Sequence, residues 1–271
     1  MERTVSAADA TLTAPGTGAP LLDGMPRQRT VLPPEDQAPA QATTAVVPDA
    51  APAPAPRTVP RSWLLLPTPT GTPFTFGYAA VLVVTSLFAE HADPTLVHTL
   101  YQDSSTDVAH LVQSPVLVLV ASALWIAGGM MSSYSLVFLL VLTSLERRIG
   151  GRRTAVVFLL GHVLATLATE VPIGLLVLAG HLPESSLHRL DYGISFGVAA
   201  SVGALAGLLR PWLRWPVLIV FGGMLLQDLA EFADPLSDCG HLLSLAIGIA
   251  TWPLVRRWRQ TGPEALSASA A

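Results

Sequence analysis

One cysteine, no lysine and charge on only 13% of its residues set this 271-residue chain apart by what it omits. The lone Cys239 excludes an intramolecular disulfide and any cysteine-built metal cage. All fifteen basic residues are arginine, which beside the excess of alanine and proline points to coding-sequence composition rather than to a chemical demand. Residues 1–73 lack any apolar run long enough to cross a bilayer and hold 14 of the 23 prolines. They read as a disordered, solvated Pro/Ala-rich tail, extended over stretches such as Ala51-Pro52-Ala53-Pro54. No hydrophobic core follows the first charges, so the tail does not read as a secretory signal.

What is present is apolar. With 51% hydrophobic residues and a mean hydropathy of +0.52, residues 74–257 read as an all-α polytopic membrane domain, followed by a short tail over 258–271. A helical span needs roughly 20 residues. Phe74–Ala89 supplies the first. Leu111–Leu145 then runs 35 residues without a charge, too long for one crossing, and the natural break is Gly128-Gly129. That leaves Val116–Ile126 embedded or re-entrant and Met130–Leu145 as the second span. Thr154–Pro172 is the third, with 173–179 continuing it or lying at the surface. Tyr192–Leu209, Trp215–Glu231 and Cys239–Val255 complete a count of six.

Arginines near span ends stay cytoplasmic. Arg57 and Arg61, then Arg147, Arg148, Arg152 and Arg153, then Arg210 and Arg214, then Arg256, Arg257 and Arg259 all fall on one side of this arrangement. The alternate loops carry Glu90, Asp93, Glu184, Asp191, Asp234 and Asp238, with Arg189 their only basic residue. Both termini are therefore expected on the cytoplasmic side of a cell membrane.

The fourth span is unusual in being made of small residues. Gly193, Gly197, Ala200, Ala204 and Gly207 share one helical face, and Ser195, Ala199 and Ala206 the other. Inside lipid, helices associate through close backbone approach, so a span small on both sides is expected at the centre of a bundle. Ser195 lies four residues inside Asp191, and His241 three inside Asp238, on two spans both entered from outside. At 1.5 Å per residue each sits on the order of 5 Å below its acidic marker. Gly240, Ser244 and Gly248 recur every four residues on the sixth span and would let it approach the fourth. A serine and an imidazole at one depth are what a nucleophile and its general base require.

At these residues the chain resembles the rhomboid family of intramembrane serine proteases. The resemblance rests on Gly193-Ile194-Ser195, on Gly240-His241 with Ser244 and Gly248, and on Glu146-Arg147-Arg148-Ile149-Gly150, and it covers about 74–257. It implies a Ser195/His241 dyad that cleaves transmembrane helices near the outer face. Three positions depart from the family pattern. Phe196 stands where a glycine usually follows the serine, and Met130 and Tyr134 stand where a histidine and an asparagine help hold the oxyanion. Tyr134, Ser133 and the backbone near Ser195, including Gly193, are the candidate substitutes. The other reading is an inactive rhomboid-like protein that binds transmembrane helices of client proteins.

Asp191 and Asp238 are either orienting acids or markers of the outer loops. His162, mid-way along the third span, reads as a helix-to-helix hydrogen bond. His91, His98, His110, His181 and His188 with Asp191 make a weak zinc alternative, since their spacing does not converge three ligands. No metal or cofactor is expected. The partners expected are membrane helices and the bilayer itself, not nucleic acid, because the arginines are accounted for by topology.

Overall fold

The computed structural model describes residues 66–261, so most of the tail assigned to 1–73, and 262–271, lie outside the described residues. Every regular element described is helical. In chain order these are α1 Pro73–His91, α2 Pro94–Asp103, α3 Val108–Gln113, α4 Pro115–Ser122, α5 Ser133–Ile149, α6 Gly151–Leu178, α7 Ser195–Ala206, α8 Pro211–Glu231, α9 Pro235–Ala250 and α10 Trp252–Gln260. A short 3-10 turn, Glu184–His188, precedes α7.

α7 is the hub. Every residue from Phe196 to Ala206 is buried, and four helices surround it. Gly161 of α6 faces the Ala200 side chain, Gly248 of α9 lies against the Ala200 backbone, and Gly203 of α7 faces the Leu245 carbonyl. A methyl at any of the three would overlap its neighbour; at Gly203 it would also stand 2.9 Å from the Ile249 nitrogen. The Ser244 hydroxyl donates to the Phe196 carbonyl, tying α9 to α7 by a hydrogen bond buried in the seam. On other sides of α7, Val198 packs with Phe138 and Leu142 of α5, and Ala199 and Val202 pack with Phe221 and Leu225 of α8.

Among the described residues three helices are long and apolar enough to cross a membrane: α1, α6 and α8. α9 and α10, bent by 44°, make a fourth if the pair is one span. The bend has a local cause. Pro253 lacks the N–H that would continue the ladder, while Thr251 turns its hydroxyl back to the Gly248 carbonyl at 2.6 Å. The uninterrupted sixth span expected over Cys239–Val255 is therefore broken after Ala250. The fourth span is shorter than expected: α7 has 12 residues rather than the stretch Tyr192–Leu209. At 1.5 Å per residue it reaches only about 18 Å. The third is longer, since α6 continues through Pro172 to Leu178. The break at Gly128-Gly129 is present, both residues having positive φ (+79° and +75°), a conformation glycine adopts without strain. α4 and the turn after it occupy the stretch expected to be embedded or re-entrant. It is pinned by the Tyr78 hydroxyl to the Ala123 carbonyl (2.5 Å), by Thr85 to the Leu124 carbonyl (2.7 Å), and by His162. His162 Nε2 sits 3.1 Å from both Ser122 Oγ and the Leu119 carbonyl, a contact between α6 and α4.

Glu146 explains its own place in the sequence. Its buried carboxylate accepts from Phe74 N (2.9 Å), Thr75 N (2.7 Å) and the Thr75 hydroxyl (2.6 Å), closing the N-terminus of α1, where Thr72 provides no side-chain cap. Gly150, at φ +87°, turns the chain from α5 into α6, and a Cβ on Gly151 would stand 2.7 Å from Glu146 Oε1.

Thermal unfolding of four variants checks this packing. Gly248→Ala is expected to lower the unfolding temperature in detergent sharply, by an overpacking cost on the order of 3 kcal/mol. Gly223→Ala, where no atom lies within 4 Å, should leave it unchanged or raised. Glu146→Ala, which strands three donors, should cost about 3 kcal/mol, with Glu146→Gln intermediate.

Candidate functional site

Ser195 is the first residue of α7 and is partly exposed, while the residues after it are buried. No side chain caps this helix, and its first internal bond runs from Val198 N to the Ile194 carbonyl at 3.0 Å. The N–H groups of the first turn, those of Ser195 and Phe196 among them, are therefore not used inside the helix. Gly193 makes the turn into α7 at φ +122°. Its own N–H is committed to the Ser122 carbonyl at 3.0 Å, so Gly193 contributes backbone shape rather than the free oxyanion donor considered from sequence.

His241 lies nearly two turns into α9, between two aromatic rings. Tyr134 stacks on it (centroids 5.4 Å apart, 27° between planes), and Phe196 meets it edge-on (5.1 Å, 72°). The Phe196 ring also occupies the space beside Gly240 that a Cβ would take. Both imidazole nitrogens and the Tyr134 hydroxyl are buried with no hydrogen-bond partner. Ser195 and His241 are not bonded to each other. Of the nine buried side-chain atoms without a partner among the described residues, these three lie together in the stacked Tyr134–His241 pair, next to Phe196 at the start of α7. Ser133, the other hydroxyl candidate on α5, is exposed. Gly197 approaches the Phe158 ring too closely for any side chain.

The two candidate acids differ. Asp191 is held away from His241, accepting from the Thr106 hydroxyl at 3.1 Å, with Arg189 Nη2 at 3.6 Å. Burial pushes its carboxyl above the usual range, against the pull of Arg189 and Thr106. Asp238 Oδ1 stands 3.9 Å from His241 Nδ1, beyond hydrogen-bond reach but the nearer of the two.

Arg189 is not among the site residues expected from sequence, although its solitary position on the acidic side is a signal. It donates to Glu170 of α6 at 2.6 Å, to Asp234 at 3.3 Å and to Ser237 of α9 at 3.0 Å. The segment leading to Ser195 is thus fastened to α6 and α9 at once. It is also tied to the loop before α3, where Ser105 accepts from Asp191 N and donates to the Arg189 carbonyl, at 3.0 and 3.1 Å. No group of three histidine, cysteine or acidic residues among the described residues is arranged to hold a metal. His110 is instead paired with Asp107 at 2.9 Å.

Tyr134→Phe removes a hydroxyl that has no partner, so it should leave the unfolding temperature unchanged or slightly raised. A fall worth more than about 1 kcal/mol would mean that the hydroxyl bonds within the folded protein.

Against known proteins, neither a curated protein nor a solved structure matches the chain. A family model described as rhomboid-like protein matches residues 70–261, well over half of the sequence and all of the helical bundle. With its apolar helices, its small-residue hub and this match together, the chain belongs to the rhomboid-like protein family.

Proposed function

We propose that this rhomboid-like membrane protein is a serine-type intramembrane endopeptidase, with Ser195 as nucleophile and His241 as general base. The observation that carries the reading is the cluster of unpartnered buried atoms, the His241 ring nitrogens and the Tyr134 hydroxyl, beside a partly exposed serine at an uncapped helix N-terminus. In this mechanism Ser195 Oγ attacks the substrate carbonyl carbon and its proton passes to His241, which returns it to the leaving amine. Catalytic hydrogen bonds are often long before substrate binds, so the unbonded pair is compatible with this role. The oxyanion is held by first-turn N–H groups of α7 and by the Tyr134 hydroxyl, a task whose loss typically costs about a hundredfold or more in rate. Asp238 is the acid that can orient the imidazole.

The substrates are transmembrane helices, cut near the outer face where they unwind, since an intact helix keeps its carbonyls bonded. The chain crosses a cell membrane six times in this reading, α5, α7 and the α9–α10 pair serving as spans beside α1, α6 and α8. Both termini are cytoplasmic. The support is the arginine distribution, which puts nine arginines between 147 and 259 on one side and Arg189 alone on the other.

A second reading has its own observation. Phe196, packed into the Gly240 cleft and against the edge of His241, fills space next to Ser195, as a protein that binds client helices without cutting them would tolerate.

A fluorophosphonate probe on the detergent-solubilised protein separates the two. Labelling that disappears in both Ser195→Ala and His241→Ala is the outcome expected of the protease. Folded wild-type protein that takes no label would falsify it in favour of the helix-binding relative.

A further inference from the structure

At the end of the bundle away from Ser195, arginines meet the carbonyls of the last residue of α7 and of the turn that follows it. Arg214 donates from Nε to the Ala206 carbonyl at 2.8 Å and from Nη2 to that of Leu209 at 3.0 Å. Arg256 Nε reaches the Gly207 carbonyl at 3.1 Å, and Arg259 Nη1 the Leu208 carbonyl at 3.3 Å. Arg214 and Arg256 lie 5.0 and 5.1 Å from the ring of Trp252. These side chains border an open cleft of about 440 Å³ lined also by Gly207, Leu208, Leu209 and Gln260.

The charge in this cleft does not balance. Among the described residues three guanidinium groups line it and no carboxylate does. The C-terminus of α7 offsets only about half a charge, leaving a surplus of roughly two and a half. Each guanidinium has five N–H donors, and Arg256 and Arg259 use one apiece while remaining exposed to solvent. Such planar forks match phosphate oxygens. Nearby, Trp212, Trp215 and Leu254 are 70%, 57% and 40% exposed, an apolar and aromatic surface of the kind found where protein meets the bilayer interface. Basic pockets between membrane helices suit anionic headgroups, and here one has acyl-compatible surface beside it.

We propose that this cleft binds the phosphate headgroup of an anionic membrane lipid, with Arg256 and Arg259 as its ligands and Arg214 holding the wall. Arg152 and Arg257 are equally basic and exposed, and they do not line the cleft. They are the control for diffuse charge.

The experiment follows thermal unfolding of the full chain in neutral detergent while phosphatidylglycerol, phosphatidylcholine or inorganic phosphate is titrated in. Phosphatidylglycerol is expected to raise the midpoint. In the double variant R256Q/R259Q its apparent affinity should fall by roughly tenfold or more, and in R152Q/R257Q it should change by less than about twofold. Arg259→Glu, a single exposed change, gives the same direction should the double variant prove unstable without lipid. Equal losses in the two double variants would overturn the site in favour of general surface charge. An equal shift from phosphatidylcholine, or the whole shift from inorganic phosphate alone, would overturn the assignment to an anionic lipid.

Discussion

Gly248 lies against the backbone of Ala200, and the Ser244 hydroxyl on the same face of α9 donates to the Phe196 carbonyl. Much of the rest of the bundle depends on that contact. Within lipid there is no hydrophobic drive between helices, so cohesion comes from how closely backbones approach and from buried hydrogen bonds. The seam supplies both, and Gly161 extends it to α6 by facing the Ala200 side chain beside the Ser244 hydroxyl. A twelve-residue helix is too short to hold itself in a bilayer by its own length. It is held by its neighbours instead.

The consequence for chemistry is positional. Because α7 is enclosed from Phe196 onward, its first residue, Ser195, is the one residue of the helix left partly exposed. The seam that encloses it also carries His241, three residues before Ser244 on α9, toward the same end, where Phe196 touches the imidazole edge. Arg189 fastens the loop entering α7 to α6 and α9. At the far end Arg214, Arg256 and Arg259 meet the carbonyls of Ala206, Gly207 and Leu208, where α7 ends. Glu146 anchors α1 to the end of α5, and Gly150 starts α6 from that corner.

The small-residue stretch was legible because Gly and Ala at helical spacing have one strong use inside a membrane, and the structure shows it in Gly248, Gly203 and Gly161. The break at Gly128-Gly129 was legible because two adjacent glycines interrupt an overlong apolar run. The boundaries of α7 were not. They are set by Gly193 bonding Ser122, some seventy residues earlier, and by Arg256, some fifty later, and hydropathy along the chain carries no trace of such pairs. The bend between α9 and α10 had a local sign in Pro253, outweighed by an unbroken apolar run. Within the candidate site, Ser195, His241 and Tyr134 were named from motif positions. The aromatic sandwich around His241 and the commitment of the Gly193 N–H needed three-dimensional packing to become visible.

The central claim, a buried α7 open only at Ser195, is tested most directly by cysteine accessibility. Cys239, the chain's single cysteine, is exposed and can be replaced by serine to clear the background. In that background Ser195→Cys, Val198→Cys and Val202→Cys are each exposed to a membrane-impermeant maleimide before and after unfolding. The account predicts reaction at position 195 in the folded protein, and reaction at 198 and 202 only once the bundle is unfolded. Labelling of all three positions in the folded state, or protection of all three, would contradict it.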